Sequence, residues 1–527
     1  MSTRESSRPN RWILLLVLAY ALIAGGYFAV RYGGRWSDSD TTNLTTAMAS
    51  VSSQGTITPT TDLYGLGFAY QAVSSFVVLA TGLSFAELQL LVYPLLAAGL
   101  SVIAYAMYRA LTGDPIAGAL AALLLFLQPE FLFVIFRGSH EKLTWLLTML
   151  AVFILSKSFT QSKRPARLAI YVGLFYLAAL GLVASNAFFA SSFILAVAVS
   201  LLGGLAVWHL HRRQAGTEVQ PGYTRLLYVV VSATVLWFLN TFYLYQPALR
   251  VLLDLKGTMY RASAVALGME PVHDPYATVS YGWVSPMVFV GLMLPTMIVG
   301  AISLLLWAGE ARRRLRAGGN VGPEPRFLLW LLYGGFGLQL GASIMVAWIG
   351  GIASNLQYRL LPVVMPFAIG LVATAITNLW GRWAHRTKGR LLAAALAVFV
   401  LWGSFASLLK ATNDPWLSNY WIFRTKDEVA ARRWVDEHLQ HTTVWLGLDG
   451  SRLGLPSNLD DPSRSGINYA DSAALDDATR HVVLSVVDTQ LGLRRGQPLP
   501  EVGSENLVYD SGGVVQYHLR PKTPYQR

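Results

Sequence analysis

The chain has 527 residues, of which 54% are hydrophobic and only 13% charged, with a mean hydropathy of +0.44. Soluble chains carry about twice that share of charge, so a water-soluble domain of this length is excluded and a polytopic α-helical membrane protein is implied. There is no cysteine, which rules out disulfides and thiolate metal sites, and the net charge of +12 is no nucleic-acid signal because the basic residues gather in short loops between apolar runs.

Crossing a bilayer takes about 20 consecutive apolar residues. Such runs fall at 12–30, 85–108, 115–135, 143–159, 168–184, 190–208, 226–245, 285–308, 327–349, 360–379 and 391–409, which predicts about 11 transmembrane helices. The first follows basic residues, but its apolar part is long and no small-residue cleavage site comes after it, so it reads as an anchor and not a signal peptide. Residues 63–82 (LYGLGFAYQAVSSFVVLATG) are apolar enough to make one more span, and counting them would invert everything downstream. Loop charge decides between the two. With 63–82 kept on the outer side and the N-terminus in the cytoplasm, twenty Lys and Arg fall in inner loops against eight in outer ones, as the positive-inside rule requires. The segment therefore reads as a helix lying on or dipping into the outer surface.

That topology makes 31–84 a long first outer loop, opening RYGGRWSDSD with Asp38 and Asp40 a few residues past the first span. Residues 41–54 carry Leu44, Ala47, Met48 and Val51 at helical spacing; Asp40, immediately before them, is placed to cap that helix. Glu130 follows Pro129 near the outer end of the third span, where a carboxylate is expensive to bury. The next outer loop reads RGSHEK, 137–142, and packs Arg137, His140, Glu141 and Lys142 into six residues. Arg137 and Lys142 could each bind a phosphate, and the cluster could equally be ordinary solvated loop chemistry. The outer loop 246–284 holds Lys256, Arg261, Glu270, His273 and Asp274 without a pattern that selects a role. In NLQYRLLP, 355–362, Arg359 enters the tenth span from the outside. A guanidinium there can grip a phosphate with two parallel hydrogen bonds or serve as an interfacial anchor.

After residue 409 the composition changes. Residues 426–439 form an amphipathic charged helix with Val429, Ala430, Trp434 and Val435 as its expected buried positions. TTVWLGL (442–448), HVVLSVVD (481–488), NLVYD (506–510) and GVVQYHL (513–519) read as strands, the last two joined through Ser511-Gly512 as a hairpin. The Ser-, Asn-, Asp- and Pro-rich stretch from Leu453 to Asp477 reads as loop. The expected organisation is a transmembrane domain, 1–409, followed by a small extracytoplasmic α/β domain, 410–527.

This order of parts resembles the GT-C superfamily of integral-membrane glycosyltransferases over nearly the whole chain. It runs from one span through a long outer loop with acids to the Pro-, Tyr- and Gly-rich PTTDLYGLGFAYQ (59–71) and ATGLS (80–84), then a further polar outer loop and a terminal soluble domain. The resemblance implies an inverting transferase at a prokaryotic plasma membrane. It would move a sugar from a polyprenyl-phosphate donor to a glycan, lipid or protein acceptor, with no nucleic-acid partner. It implies Asp40, fifteen residues before Gly55, as the catalytic base, with Asp38 beside it. Arg359, Arg137, Lys142 and His140 would hold the donor phosphate, and a divalent metal (Mg or Mn) would sit on Glu141 and His140 with Asp40. His140-Glu141 departs from the Asp-x-Asp pair of oligosaccharyltransferases, which puts that metal in question. VWLGLDG (444–450) stands where those enzymes carry WWDYG, which argues against transfer to asparagine sequons. A polymerase or ligase of lipid-linked glycans is the nearer rival reading. A transporter would instead concentrate its polar residues at mid-membrane.

Overall fold

The structure is a computed structural model, and it describes residues 8–32, 39–55, 67–160, 165–215, 245–271, 285–317, 325–349, 356–412, 426–438, 443–445, 468–470, 481–485, 507–512 and 515–519. Helix α1 spans Arg8–Tyr32, α2 Ser39–Gln54, α3 Ala69–Thr81 and α4 Phe85–Thr112. Two short helices follow, α5 (Pro115–Phe126) and α6 (Pro129–Phe136), and then α7 (Glu141–Thr160), α8 (Pro165–Ser185), α9 (Ala187–Ala215) and α10 (Tyr245–Ala266). The helical part ends with α11 (Pro286–Ala317), α12 (Pro325–Ile349), α13 (Leu356–Trp383) and α14 (Thr387–Thr412).

Among the described residues 8 helices are long and apolar enough to cross a membrane, or up to 9 if α5 and α6 count as one broken span. The chain is thus a multi-pass helical membrane protein. Helix α7 occupies the expected run at 143–159, and the span expected at 226–245 falls outside the described residues but for Tyr245. Leu15, Leu16, Ile23 and Val30 on α1 and Leu391, Val398 and Leu401 on α14 are exposed, the surface a hydrocarbon solvent covers. Inside, Trp307 and Trp330 stack at 5.5 Å, and each indole N–H donates to the other residue's carbonyl at 3.1 Å. Tyr108, wholly buried, donates to the carbonyl of Pro366 at 2.9 Å.

Three expectations for the helical part change. The third span is two helices meeting at 75°. Gln128 is extended (φ −88°, ψ 120°) because Pro129 behind it crowds the α conformation and brings no N–H of its own. The Gln128 side chain buttresses this break, donating to Leu124 O at 3.2 Å and accepting from the hydroxyl of Thr296 on α11 at 2.9 Å. Helix α10 fills much of what reads as the loop 246–284. Helix α2 begins at Ser39, so Asp40 lies in its first turn and is not its cap.

The segment 63–82 contains α3, 13 residues long. At 1.5 Å per residue that is about 20 Å, short of the roughly 30 Å hydrocarbon core. It stops at Gly82, whose φ of 74° belongs to the left-handed region. The expected stripe on α2 is present, with Leu44 and Met48 fully buried against Tyr70 and Phe85.

The C-terminal part holds α15 (Lys426–His438) and a five-stranded sheet, β1 Thr443–Trp445, β2 Asn468–Ala470, β3 His481–Ser485, β4 Leu507–Asp510 and β5 Val515–Leu519, in the order β2-β1-β3-β5-β4. Strand β1 runs parallel to β2 and β3, while β3–β5 and β4–β5 are antiparallel, the latter pair turning through Gly512 at φ 75°. Strand β2 lies in the stretch that reads as loop. On α15 the buried face is Ala431, Arg432 and Val435, with Ala430 exposed, one position round from expectation. The Val429 side chain and residues 446–450 fall outside the described residues.

Candidate functional site

The loop from Arg137 to His140 joins α6 to α7 and is clasped by three other parts of the chain. On one side is α2. A Cβ on Gly138 would lie 2.8 Å from Thr41 Cγ2, 2.9 Å from Thr41 Oγ1 and 3.0 Å from Gln89 Oε1, so only glycine lets the loop sit this close to α2. Thr41 is the residue after Asp40. The first turn of α2 and the RGSHEK loop therefore abut.

A buried polar ladder holds α2 at that distance. Gln89 donates to Thr45 Oγ1, Thr45 donates to Thr41 O at 2.7 Å, and the Tyr70 hydroxyl donates to Gln89 Oε1 at 3.4 Å. Gln89 lies in a single π-helical turn, Leu88–Val92, the local widening often found at functional sites. Ser75 on α3 donates to Met48 O at 3.1 Å, and Ser74 shares a 2.7 Å hydrogen bond with the Tyr93 hydroxyl.

Lys142 reaches back into this assembly. Its ammonium donates to the carbonyls of Arg137 (2.6 Å) and Ser139 (2.8 Å) and lies 5.5 Å and 5.2 Å from the ring centroids of Tyr70 and Tyr93. Two carbonyls and two aromatic faces make a cage in which a desolvated cation is stable. Lys142 fastens the loop to α3 and α4.

Arg137 is 1% exposed, with its guanidinium over the Phe133 ring at 5.1 Å. Its Nη2 donates to Glu141 Oε1, and the Ser139 hydroxyl donates to Glu141 Oε2. Burial alone would raise the Glu141 carboxyl. The adjoining Arg137 guanidinium, with the Ser139 hydroxyl, outweighs it and holds the group at about 2.

On the far side, α8 and α9 close the site. Phe68 N–H donates to Ala184 O at 2.8 Å, and Gly67 sits so close to Ser185 that a Cβ would fall 2.3 Å from its carbonyl oxygen. Ser185 shares a 3.1 Å hydrogen bond with Thr144, and Asn186, just before α9, lies 2.9 Å from His140 Nε2 through its amide nitrogen.

The structure thus brings Arg137, His140, Glu141 and Lys142 together beside the turn that carries Asp40. Asp38 lies outside the described residues, as do the side chains of Asp40 and Arg359. Arg359 is the fourth residue of α13, and Leu361, Pro362 and Met365 of that helix line a small cavity with Gln128, Glu130 and Thr296. The second and third turns of α13 therefore lie beside Glu130. Among the described residues no three His, Asp or Glu side chains converge as a metal group. Sequence reading missed Asn186, Gln89 and Tyr93, while Tyr70 lay in the quoted 59–71 stretch without a role at this site. Only Asn186 left a signal, an asparagine immediately before an apolar helix.

No family profile and no curated protein matches the sequence. Solved structures do match in fold. An archaeal oligosaccharyltransferase from Archaeoglobus fulgidus, AglB in complex with an inhibitory peptide and a dolichol-phosphate, superposes with a TM-score of 0.56 at 11% identity, covering 98% of this chain and 75% of that one. A second oligosaccharyltransferase structure from that organism, in the apo form, gives 0.53 at 11% identity over 90% and 69%. ArnT from Cupriavidus metallidurans bound to undecaprenyl phosphate superposes more loosely, at 0.41 and 14% identity over 96% and 97%. The protein shares the fold of the two archaeal structures, the GT-C architecture expected from the order of its parts.

Proposed function

We propose that the chain is an inverting glycosyltransferase that uses a polyprenyl-phosphate-linked sugar on the extracytoplasmic face of the membrane. In this reading an acceptor hydroxyl attacks the anomeric carbon, forming a new C–O bond as the bond from that carbon to the phosphate oxygen breaks. Asp40 takes the hydroxyl proton, and polyprenyl phosphate leaves with the bonding electron pair. Asp38 supports the base, and Arg359 at the start of α13 receives the phosphate.

The observation that carries the reading is the tight seat of Gly138 on Thr41. It sets the turn bearing a carboxylate against a loop rich in fixed cations and donors, the two demands of glycosyl transfer from a phosphate. The fold adds support, since one archaeal structure that shares it holds a dolichol-phosphate. Lys142, occupied by two carbonyls and two rings, and Arg137, buried over Phe133 and paired with Glu141, act here as clamps, which leaves the phosphate to Arg359.

The test is reconstitution. Purified protein in lipid nanodiscs receives a panel of polyprenyl-phosphate sugars and an envelope extract as acceptor, and free polyprenyl phosphate is measured. Acceptor-dependent release from at least one donor is expected. No release across the panel, with donor binding also absent, would remove the proposal.

A further inference from the structure

The resemblance implies a divalent metal on His140 and Glu141, and the hydrogen bonds around these two residues test that implication. Asn186 caps α9: its Oδ1 accepts from the Phe189 backbone N–H at 3.0 Å. A backbone N–H can only donate, so the atom it meets is the amide oxygen and the amide orientation is settled. The remaining group, Nδ2, is a donor, and it faces His140 Nε2 at 2.9 Å. Nε2 must then be the acceptor, and the imidazole proton sits on Nδ1, which lies 3.9 Å from Glu141 Oε2.

Histidines that ligate metals through Nε2 use this same tautomer, so what separates His140 from them is the partner of its lone pair. One nitrogen gives its lone pair to the metal while the other donates its N–H to a carboxylate or carbonyl. Here Nε2 already spends its lone pair on Asn186. Ligation through Nδ1 would leave the ring with no proton on either nitrogen. Glu141 is no better suited, because its two oxygens already accept from Arg137 and Ser139. The cations beside it, Arg137 and Lys142, would repel an incoming divalent ion.

We infer that Asn186 is a positioning residue that locks His140 in the Nδ1–H tautomer, outside any metal shell, and that the cation bound by Glu141 is the guanidinium of Arg137. The centre at 137–142 carries its positive charge in the chain itself. Only the use of that charge in phosphate chemistry rests on the proposed function. The tautomer and the donor set stand without it.

Two measurements on the full chain in detergent test this, and neither needs donor or turnover. In the first, the protein is labelled with 15N-histidine and the His140 signal is identified among the nine histidines as the one lost in His140→Gln. At pH 8 it should report a proton on Nδ1. Asn186→Asp keeps an oxygen for the Phe189 N–H but replaces the donor with an acceptor, and should move the proton to Nε2. A parent signal with its proton on Nε2 would overturn the lock. In the second, Mn2+ and Zn2+ are titrated into parent, His140→Gln and Glu141→Gln. Both variants should bind each ion within twofold of the parent. A tenfold or greater loss in either would make these residues metal ligands and overturn the inference. Absence of transfer alongside the expected tautomer and titrations would count against the proposed function alone.

Discussion

Gly138→Ala isolates the contact on which the site depends. The added methyl would stand 2.8 Å from Thr41 Cγ2, 2.9 Å from Thr41 Oγ1 and 3.0 Å from Gln89 Oε1. Ordinary contacts begin near 3.4 Å, so the loop and α2 must separate by roughly half an ångström or one side chain must leave its place. Thr41 and Gln89 are fully buried, and Gln89 is tied into the Thr45 ladder, so neither yields easily. Forcing an extra methyl into such packing costs about 1–3 kcal/mol. Misplacement of catalytic groups by about 1 Å can lower turnover on the order of a hundredfold. Turnover should therefore fall ten- to a hundredfold, while polyprenyl phosphate still binds and the protein remains monodisperse on gel filtration. Adding Thr41→Ala removes both nearest Thr41 atoms and should restore part of the loss, a coupling of about 0.5–3 kcal/mol. Parent-like turnover in Gly138→Ala, or a double variant no better than the single, would refute the claim that this contact sets the site.

Asp40→Asn should abolish transfer with expression and fold intact, and Asp38→Asn should be the next most damaging; full activity in both would remove them as the base. Arg359→Ala should weaken donor use by roughly ten- to a hundredfold, the worth of a charge-assisted contact of about 1.5–3 kcal/mol, with Arg359→Lys recovering part; parent-like values in both would make Arg359 an anchor. The Glu141 carboxyl is depressed from its ordinary 4.5 to about 2, so its stabilising contribution is complete above about pH 4.5 and is lost as pH falls toward 2. Thermal stability of the parent should decline across that window, and Glu141→Gln should be less stable at pH 7 with a flatter acid limb; the same slope in both proteins would contradict the assignment. A cysteine replacing Ser511 should react with an impermeant reagent in intact cells and one replacing Ser162 should not, and with no native thiols to interfere, the reverse pattern would invert the topology.

Periodicity made α2 legible, because Leu44 and Met48 recur on one face, and 63–82 proved to hold only a 13-residue helix. What the sequence hid is mostly long-range. Gly138 looks like any loop glycine until α2 is set against it. Nothing local links Lys142 to Tyr70 and Tyr93, or His140 to Asn186, 46 residues away. The break in the third span was visible as Gln128-Pro129, but hydropathy averages across such a kink. Helix α10 was overlooked because Arg250, Asp254, Lys256 and Arg261 interrupt its apolar residues and leave no run long enough for a span, and β2 because its three residues pair only with β1. Even the α15 stripe turned by one position, with Arg432 facing inward where a charge pattern would place it outside.

The most direct test of the central claim is a structure of the protein with a non-hydrolysable polyprenyl-phosphate sugar analogue bound. The account predicts the anomeric carbon facing Asp40 at the junction of α2 with the 137–142 loop, the phosphate within reach of the arginine at the start of α13, and no metal ion on His140 or Glu141. An analogue seated away from that junction, or a metal held between those two side chains, would contradict it.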